Sequence, residues 1–295
     1  MKMRSFLFVP GDSDRKFAKA TGAQGEHAPD VIICDLEDAV APSQKAEARA
    51  KVAGWIGQAG LATSRLFVRV NPLDTGLTQG DLEAIVRPGL SGIVLPKSNG
   101  GADVAQLARM IEPIEAAHGM ARGFIKIVVV ATETPAAMFN LGTYAPAHSR
   151  LLGLTWGAED LGAALGITAN KDEDGQWTFP FAVARAQCLF AAANAGVTPI
   201  DTLYTDFKDP EGLEEDCRKA RRDGYVGRLA IHPAQVAIIN RAFTPSDEEL
   251  AHARKIVEAF AANPDSGTLG IDGKMVDIPH LVMAKKMLAA AGEAI

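Results

Sequence analysis

Cysteine is scarce in this 295-residue chain: Cys34, Cys188 and Cys217 are far apart and odd in number. That argues against a disulfide framework, and no CxxC spacing offers a thiolate metal centre or a dithiol pair, so a reducing compartment, the cytoplasm, is the expected setting. Basic charge is not in excess either. The 30 Lys and Arg against 36 Asp and Glu give a net charge of −6 and a pI near 5.6, which supplies no field for nucleic acid or an anionic membrane. No apolar run approaches the ~20 residues that span a bilayer. The apolar run in the opening MKMRSFLFVPGD is too short for a secretory leader and is broken by Pro10 and Gly11. There is no internal repeat, low-complexity tract or linker rich in Gly, Ser or Pro, so no boundary is expected before about residue 244.

What is present is ordinary globular composition, 47% hydrophobic and 22% charged, on a chain long enough to bury a large core. Short apolar runs recur at Ser5–Val9, Val31–Asp35, Leu66–Val70, Gly92–Leu95, Ile125–Ala131, Leu151–Trp156, Pro199–Tyr204 and Arg228–Ile231. They are mostly continuous rather than alternating, as in parallel strands buried on both faces. Between them Ser43–Ala59, Thr78–Ile85, Ala102–His118 and Ala182–Ala195 place apolar residues at helical intervals. Alternation predicts right-handed βαβ units, and a count of eight predicts a closed α/β barrel, (β/α)8, over an open doubly wound sheet. Beyond it, Ser246 and Glu249 form a capping box opening a helix to about Ala262. A hairpin over Gly270–Val276, turning at Asp272-Gly273, and a helix from Pro279 complete the chain. Residues 1–243 are therefore expected to form the catalytic barrel, and 244–295 a helical and hairpin extension that needs a surface to pack on.

The strand ends read FVPGD, CDLEDAV, VRVNP, VLPK, ATETP, TWGAED, LYTDF and AIHP. In a barrel these ends converge on one mouth. Glu37, Asp38, Glu133, Glu159 and Asp160 would crowd it, raising one another's pKa unless a cation compensates. Hard oxygen donors without a Cys cluster or a close His pair favour Mg²⁺ over Zn²⁺. Any one of these acids alone could instead cap a helix. Arg69 offers a planar fork for an oxyanion or carboxylate, or else an ion pair with Glu37 or Glu133. The turn at Gly157, Ala158 and Glu159 would aim successive N–H groups into the site, a concavity suited to a carboxylate. His232, between Ile231 and Pro233, reads as structural rather than as a base. The polar stretch Thr168–Pro180, with its KDEDG, reads as a mouth loop or, more simply, as a solvated face.

The segments RSFLFVPGD, VIICDLEDAVAP, VRVNP, VLPK, ETP, GAEDLGAALG, IHPAQVAIINRAFTPS and DGKMVDIPHLVMA run in order from Arg4 to about Ala290. In them the chain resembles the citrate lyase β-subunit family of the HpcH/HpaI aldolase superfamily, which includes malyl-CoA and citramalyl-CoA lyases. The resemblance implies a TIM barrel of the phosphoenolpyruvate/pyruvate type and a Mg²⁺-dependent carbon–carbon lyase. Its substrate would be a 3-hydroxyacyl-CoA thioester, such as a malyl, citramalyl or citryl thioester, cleaved to or formed from an acyl-CoA and a 2-oxo acid. On this basis Glu133 and Asp160 hold Mg²⁺, Arg69 contacts the reacting carbonyl or enolate oxygen, and Glu37 and Asp38 orient metal-bound water and Arg69. Asp277 would come from a neighbouring subunit to exchange a proton; on its own it reads as a helix N-cap. Phe8, Arg15, Lys19, Ile231 and Pro233 match the family's coenzyme A contacts, with Arg15 and Lys19 on one helix face. The resemblance further implies a homotrimer or hexamer and admits citrate lyase α and γ subunits as partners. Three alternatives stay open: a Schiff-base aldolase using Lys97, a metal-dependent 2-oxo acid aldolase without CoA, and a non-catalytic acyl-thioester-binding paralogue.

Overall fold

Runs of Val, Ile, Leu and Phe that must bury both faces form eight strands, in a computed structural model that describes residues 2–58 and 65–293. They are β1 (Ser5–Pro10), β2 (Val31–Asp35), β3 (Arg65–Arg69), β4 (Gly92–Leu95), β5 (Lys126–Val130), β6 (Leu151–Thr155), β7 (Thr198–Asp201) and β8 (Gly227–Ala230). Each pairs in parallel with the next, and β1 pairs with β8, closing the expected barrel. Around it run α1 (Asp14–Thr21), α2 (Lys45–Gln58), α3 (Thr78–Ile85), α4 (Gly101–Ala117), α5 (Pro135–Met138), α6 (Glu159–Leu165), α7 (Phe179–Ala195), α8 (Pro210–Asp223) and α9 (Pro233–Ala242). The expected end of α2, Ala59, lies outside the described residues. Strand β7 stops three residues short of Tyr204: the Asp201 carboxylate accepts the Thr202 N–H at 2.9 Å and turns the chain out of the ladder.

Alternate residues of each strand serve two cores. Phe6, Val31, Ile33, Phe67, Val94, Val128, Val130, Ile200 and Leu229 fill the barrel interior. Leu7, Ile32, Cys34, Val68, Ile93 and Ile127 face the helices. Gly92 is required by this packing, because a Cβ there would lie 2.2 Å from the Phe67 ring directly across the β3–β4 ladder. At the amino end of the strands a fully buried ion pair joins Glu115 of α4 to Arg150, at 2.6 and 2.7 Å. The same carboxylate accepts the N–H groups of Gly123 and Ile125, tying α4 to the entries of β5 and β6. All three cysteines are free and buried. Among the described residues no helix is long and apolar enough to cross a membrane.

After the barrel come α10 (Asp247–Ala262), β9 (Thr268–Ile271), β10 (Lys274–Asp277) and α11 (Ile278–Ala291). The capping box at Ser246 and Glu249 is formed, and Asp272 and Gly273 both have positive φ, as a tight two-residue hairpin turn demands. This segment has a core of its own, built on Ile256, Phe260, Ile271, Val276 and Leu288. Met275, Ile278, Val282 and Met283 remain exposed on it, so it presents an apolar face outward.

Candidate active site

The carboxyl ends of the strands open into a cavity of about 700 Å³. Phe8, Arg15, Lys19, Asp38, Arg69, Glu133, Gly157, Ala158, Glu159, Asp160, Ile231 and Pro233 all line it. Glu37 stands just behind, bonded to lining residues, and Asp277 is elsewhere. In its own chain Asp277 caps α11, accepting the His280 N–H and meeting His280 Nδ1 at 2.5 Å. Hydrogen bonding to His280, working against burial, holds its carboxyl below the usual range.

The geometry starts from a register. Asp35 and Arg69 end β2 and β3 as cross-strand partners, so their side chains meet at the rim. Arg69 donates through Nε and Nη2 to the two oxygens of Asp35 at 2.8 and 2.7 Å, and its Nη1 lies 2.8 Å from Glu37. Its guanidinium sits 4.9 Å from the centre of the Phe8 ring. Burial alone would lower the Arg69 pKa, but the hydrogen bonds it donates to Asp35 and the charges of Asp35 and Glu37 outweigh it, so the group is a fixed cation. The pairing expected with Glu37 is present and that with Glu133 is not; the main partner is Asp35. Nothing in the composition of CDLED singles out Asp35, but the order of the strands does, since neighbouring strands bring an acid and an arginine side by side.

Lys97, just past β4, binds the rest of the rim together. Its backbone N–H donates to Glu133 Oε2 at 2.5 Å, and its ammonium lies 2.6 Å from Glu37, 3.2 Å from Asp160 and 3.6 Å from Asp38. Burial pulls the Lys97 pKa down, yet these acids, Glu37 foremost, carry it well above its ordinary value. That is the opposite of what a Schiff-base nucleophile needs, and the lysine aldolase alternative loses its basis.

Burial pushes the Glu133 carboxyl up to about 8, with Glu37 and Asp160 adding to the shift and the Lys97 N–H and Arg69 opposing it. Burial likewise raises Glu37 despite Arg69 and Lys97. A divalent ion is what would hold such a carboxylate ionised. Among the described residues no group of three or more His, Cys, Asp or Glu is disposed to hold a metal. Glu133 and Asp160 both line the mouth, and an ion held by two carboxylates there would fill its shell with water and ligand oxygens, which suits Mg²⁺ rather than Ca²⁺ or Zn²⁺.

Gly157 lets the β6 loop lie against this pair, since a Cβ there would come 2.7 Å from Glu133 Cγ. Its N–H is given to Thr132 Oγ1 at 3.1 Å, so the expected concavity of free N–H groups is smaller by one. Trp156, fully buried, donates to Asp201 at 2.7 Å and meets Trp177 edge-on at 4.9 Å. Trp177 belongs to the KDEDG segment, which proves to be a mouth loop rather than only a solvated face. A bridge from Lys171 to Trp177 folds it, and the Lys171 ammonium lies 5.1 Å from both the Trp177 and Tyr204 rings. His232 caps α9, accepting the Ala234 N–H at 3.2 Å, and stacks on Phe207, as a structural histidine does. Behind α1, outside the cavity lining, Trp55 stacks on Phe17 and donates to Asp14.

A closed eight-stranded barrel with a clamped guanidinium and the carboxylates Glu133 and Asp160 in its mouth has the architecture of an α/β-barrel enzyme. The chain belongs to the HpcH/HpaI aldolase/citrate lyase family, whose model matches residues 4–233. It is 35% identical to the (3S)-malyl-CoA thioesterase of Cereibacter sphaeroides, over 98% of this chain and 94% of that protein. It is 32% identical to the L-malyl-CoA/beta-methylmalyl-CoA lyase of the same species, again over 98% and 94%. The crystal structure of CitE from Mycobacterium tuberculosis in complex with magnesium, acetoacetate and coenzyme A matches with a TM-score of 0.77 at 33% identity, covering 99% of both chains.

Proposed function

We propose that this enzyme is a Mg²⁺-dependent carbon–carbon lyase that cleaves, or forms, a 3-hydroxyacyl-CoA thioester, with an acyl-CoA and a 2-oxo acid as the other side of the reaction. The observation that carries the reading is the meeting of Glu133 and Asp160 with the clamped Arg69 in one cavity whose rim bears Arg15, Lys16 and Lys19. The magnesium and coenzyme A of the CitE complex and the lyase relative support it.

Glu133 and Asp160 would hold the ion. When bound, Mg²⁺ supplies Lewis acidity and a template for the carboxylate and carbonyl oxygens of the 2-oxo acid. In cleavage a rim carboxylate would accept the proton of the substrate hydroxyl, whose oxygen becomes the carbonyl of the 2-oxo acid as the carbon–carbon bond breaks and its electron pair moves toward the thioester oxygen. Arg69 would stabilise that oxyanion: of its five N–H groups, two donate to Asp35, and Nη1 lies beside Glu37 as an ion pair without a hydrogen bond, leaving three N–H groups free to donate to substrate. Because both acids fix the guanidinium before substrate arrives, little reorganisation accompanies the charge shift. Arg15 and Lys19, one turn apart on α1, line the cavity and would meet the phosphates of coenzyme A, while Phe8, Ile231 and Pro233 would flank its pantetheine arm. A CoA-free aldolase has no use for that cationic rim.

The enolate carbon still needs a proton. Asp277 is our candidate, delivered by a second copy of the chain, since in its own chain it lies away from the cavity. The apolar face of the extension, 244–295, would dock on the neighbour's barrel, 1–243, in a homotrimer. Three free cysteines fit the cytoplasm as its setting. Thioester hydrolysis is a second reading, favoured by the thioesterase relative. It starts from the same bound thioester but releases free CoA rather than a 2-oxo acid.

The test is incubation of purified protein with Mg²⁺ and malyl-CoA, citramalyl-CoA or citryl-CoA, following 2-oxo acid and free thiol separately. Mg²⁺-dependent 2-oxo acid release, lost in Glu133→Ala and Asp160→Ala, is expected. Activity restored by mixing inactive Glu133→Ala with inactive Asp277→Ala would show the proton donor acting between subunits. Cleavage that survives EDTA would reject the metal reading, and thiol without 2-oxo acid would select hydrolysis.

A further inference from the structure

Lys97 has the backbone of a residue held against its preference: φ is +49°, a conformation that side chains other than glycine rarely adopt. Such strain persists only where the surroundings impose it, and it often marks a functional position. Here it aims two parts of one residue at two parts of one site. The N–H points to Glu133, and the ammonium crosses to Glu37 and Asp160. Among the described residues, Asp35, Glu37, Asp38 and Asp160 form their ion pairs with just Arg69 and Lys97, and Glu133 accepts the Lys97 N–H. Arg69 is taken up by Asp35 and Glu37, which leaves Asp160 to Lys97 alone.

The ammonium thus stands on a carboxylate that the divalent ion must also use. We propose that Lys97 is a positioning residue, the internal counter-ion of the mouth, which holds Asp160 and Glu37 while no divalent ion is bound and competes with that ion for Asp160. It therefore sets how tightly the cation binds. The inference rests on the reading of Glu133 and Asp160 as the cation site. Its chemical logic is charge balance: ammonium and divalent ion together make the mouth more cationic, and an anionic 2-oxo acid restores the balance. Metal and acid then bind best together, and the ion alone binds weakly.

The experiment is a titration with Mn²⁺ in the absence of substrate, followed by the electron paramagnetic resonance of the free ion. It compares wild type with Lys97→Met, which keeps the side-chain length, Lys97→Gly, which suits the left-handed backbone, and Lys97→Arg, which keeps the charge. Removal of one positive charge a few ångströms from the ion should tighten Kd by about ten-fold or more in the Met and Gly variants. The Arg variant should stay near wild type. An unchanged or weaker Kd in a folded Gly variant overturns the proposal. Should Lys97→Gly melt early without metal, recovery of the wild-type melting temperature on adding Mn²⁺ supports the counter-ion role, and lack of recovery refutes it. If wild type does not bind Mn²⁺, or Glu133→Ala binds it equally well, the cation-site reading itself fails and takes the inference with it.

Discussion

Asp35→Asn is the sharpest test of how the guanidinium is held. Asp35 is 1% exposed and accepts four hydrogen bonds: two from Arg69 at 2.8 and 2.7 Å, one from the Glu37 N–H at 2.9 Å and one from the Ala39 N–H at 3.1 Å. An amide of the same shape offers one oxygen in place of two and turns an NH₂ toward donors. Two of the four bonds are lost, one from Arg69 and one from a backbone N–H, and the buried guanidinium loses the Asp35 charge while keeping Glu37. At ~1.5–3 kcal/mol for each bond to a charged group, the cost is about 3–5 kcal/mol. For a chain of this length that lowers the melting temperature by about 5–8 °C. The kinetic effect should fall on kcat, by about 10²-fold, because Arg69 acts on charge that develops in the transition state, while KM changes little. Steady-state release of 2-oxo acid and a thermal melt measure both. If kcat stays within about three-fold and melting is unaltered, Glu37 alone holds Arg69 and the clamp described here is wrong.

Gly157→Ala should act on the metal without touching a ligand. Its methyl would come 2.7 Å from Glu133 Cγ and 3.2 Å from Val130, so Glu133 must swing, and the Mg²⁺ concentration for half-maximal activity should rise about ten-fold or more. An unchanged Mg²⁺ requirement would show that the loop yields instead. Glu115→Gln should cost about 3–5 kcal/mol of stability by leaving Arg150 buried without its charge partner. Burial pushes the Glu115 carboxyl up, but Arg150 and the N–H groups of Ile125 and Gly123 more than reverse this and hold it below the ordinary 4.5. The ionised pair therefore stabilises the fold fully above that pH and loses its contribution as pH falls through the lower native value. Denaturant melts of wild type and variant should differ by a constant amount from neutral pH down to about 5, begin to converge below about 4.5 and meet only below the lower native pKa; a gap that persists in stronger acid would contradict the assignment.

The barrel was legible because parallel strands buried on both faces leave a signal that survives without knowing their order. Val31–Asp35 and Gly92–Leu95 come out with unchanged bounds for that reason. Helix starts were legible wherever a cap announced them, as at Ser246. The acids of the mouth followed from strand ends alone. What escaped was relational. Asp35 matters only through the β2–β3 register, and Lys97, weighed solely as a nucleophile, matters through a backbone angle that no composition encodes. Trp177 was hidden in a segment whose charges suggested solvent, because the Lys171 to Trp177 bridge that turns the indole inward depends on a loop closing on itself.

The chain has three tryptophans, and two of them stand at the same opening. Trp156 and Trp177 line the cavity as an edge-on pair, and Trp55 braces the helix that carries Arg15 and Lys19. With two of three indoles in the lining, the ultraviolet emission of the unlabelled protein responds to what occupies the mouth, over a constant contribution from buried Trp55. Ligand entry can therefore be followed optically in variants too damaged to turn over, which separates loss of binding from loss of chemistry.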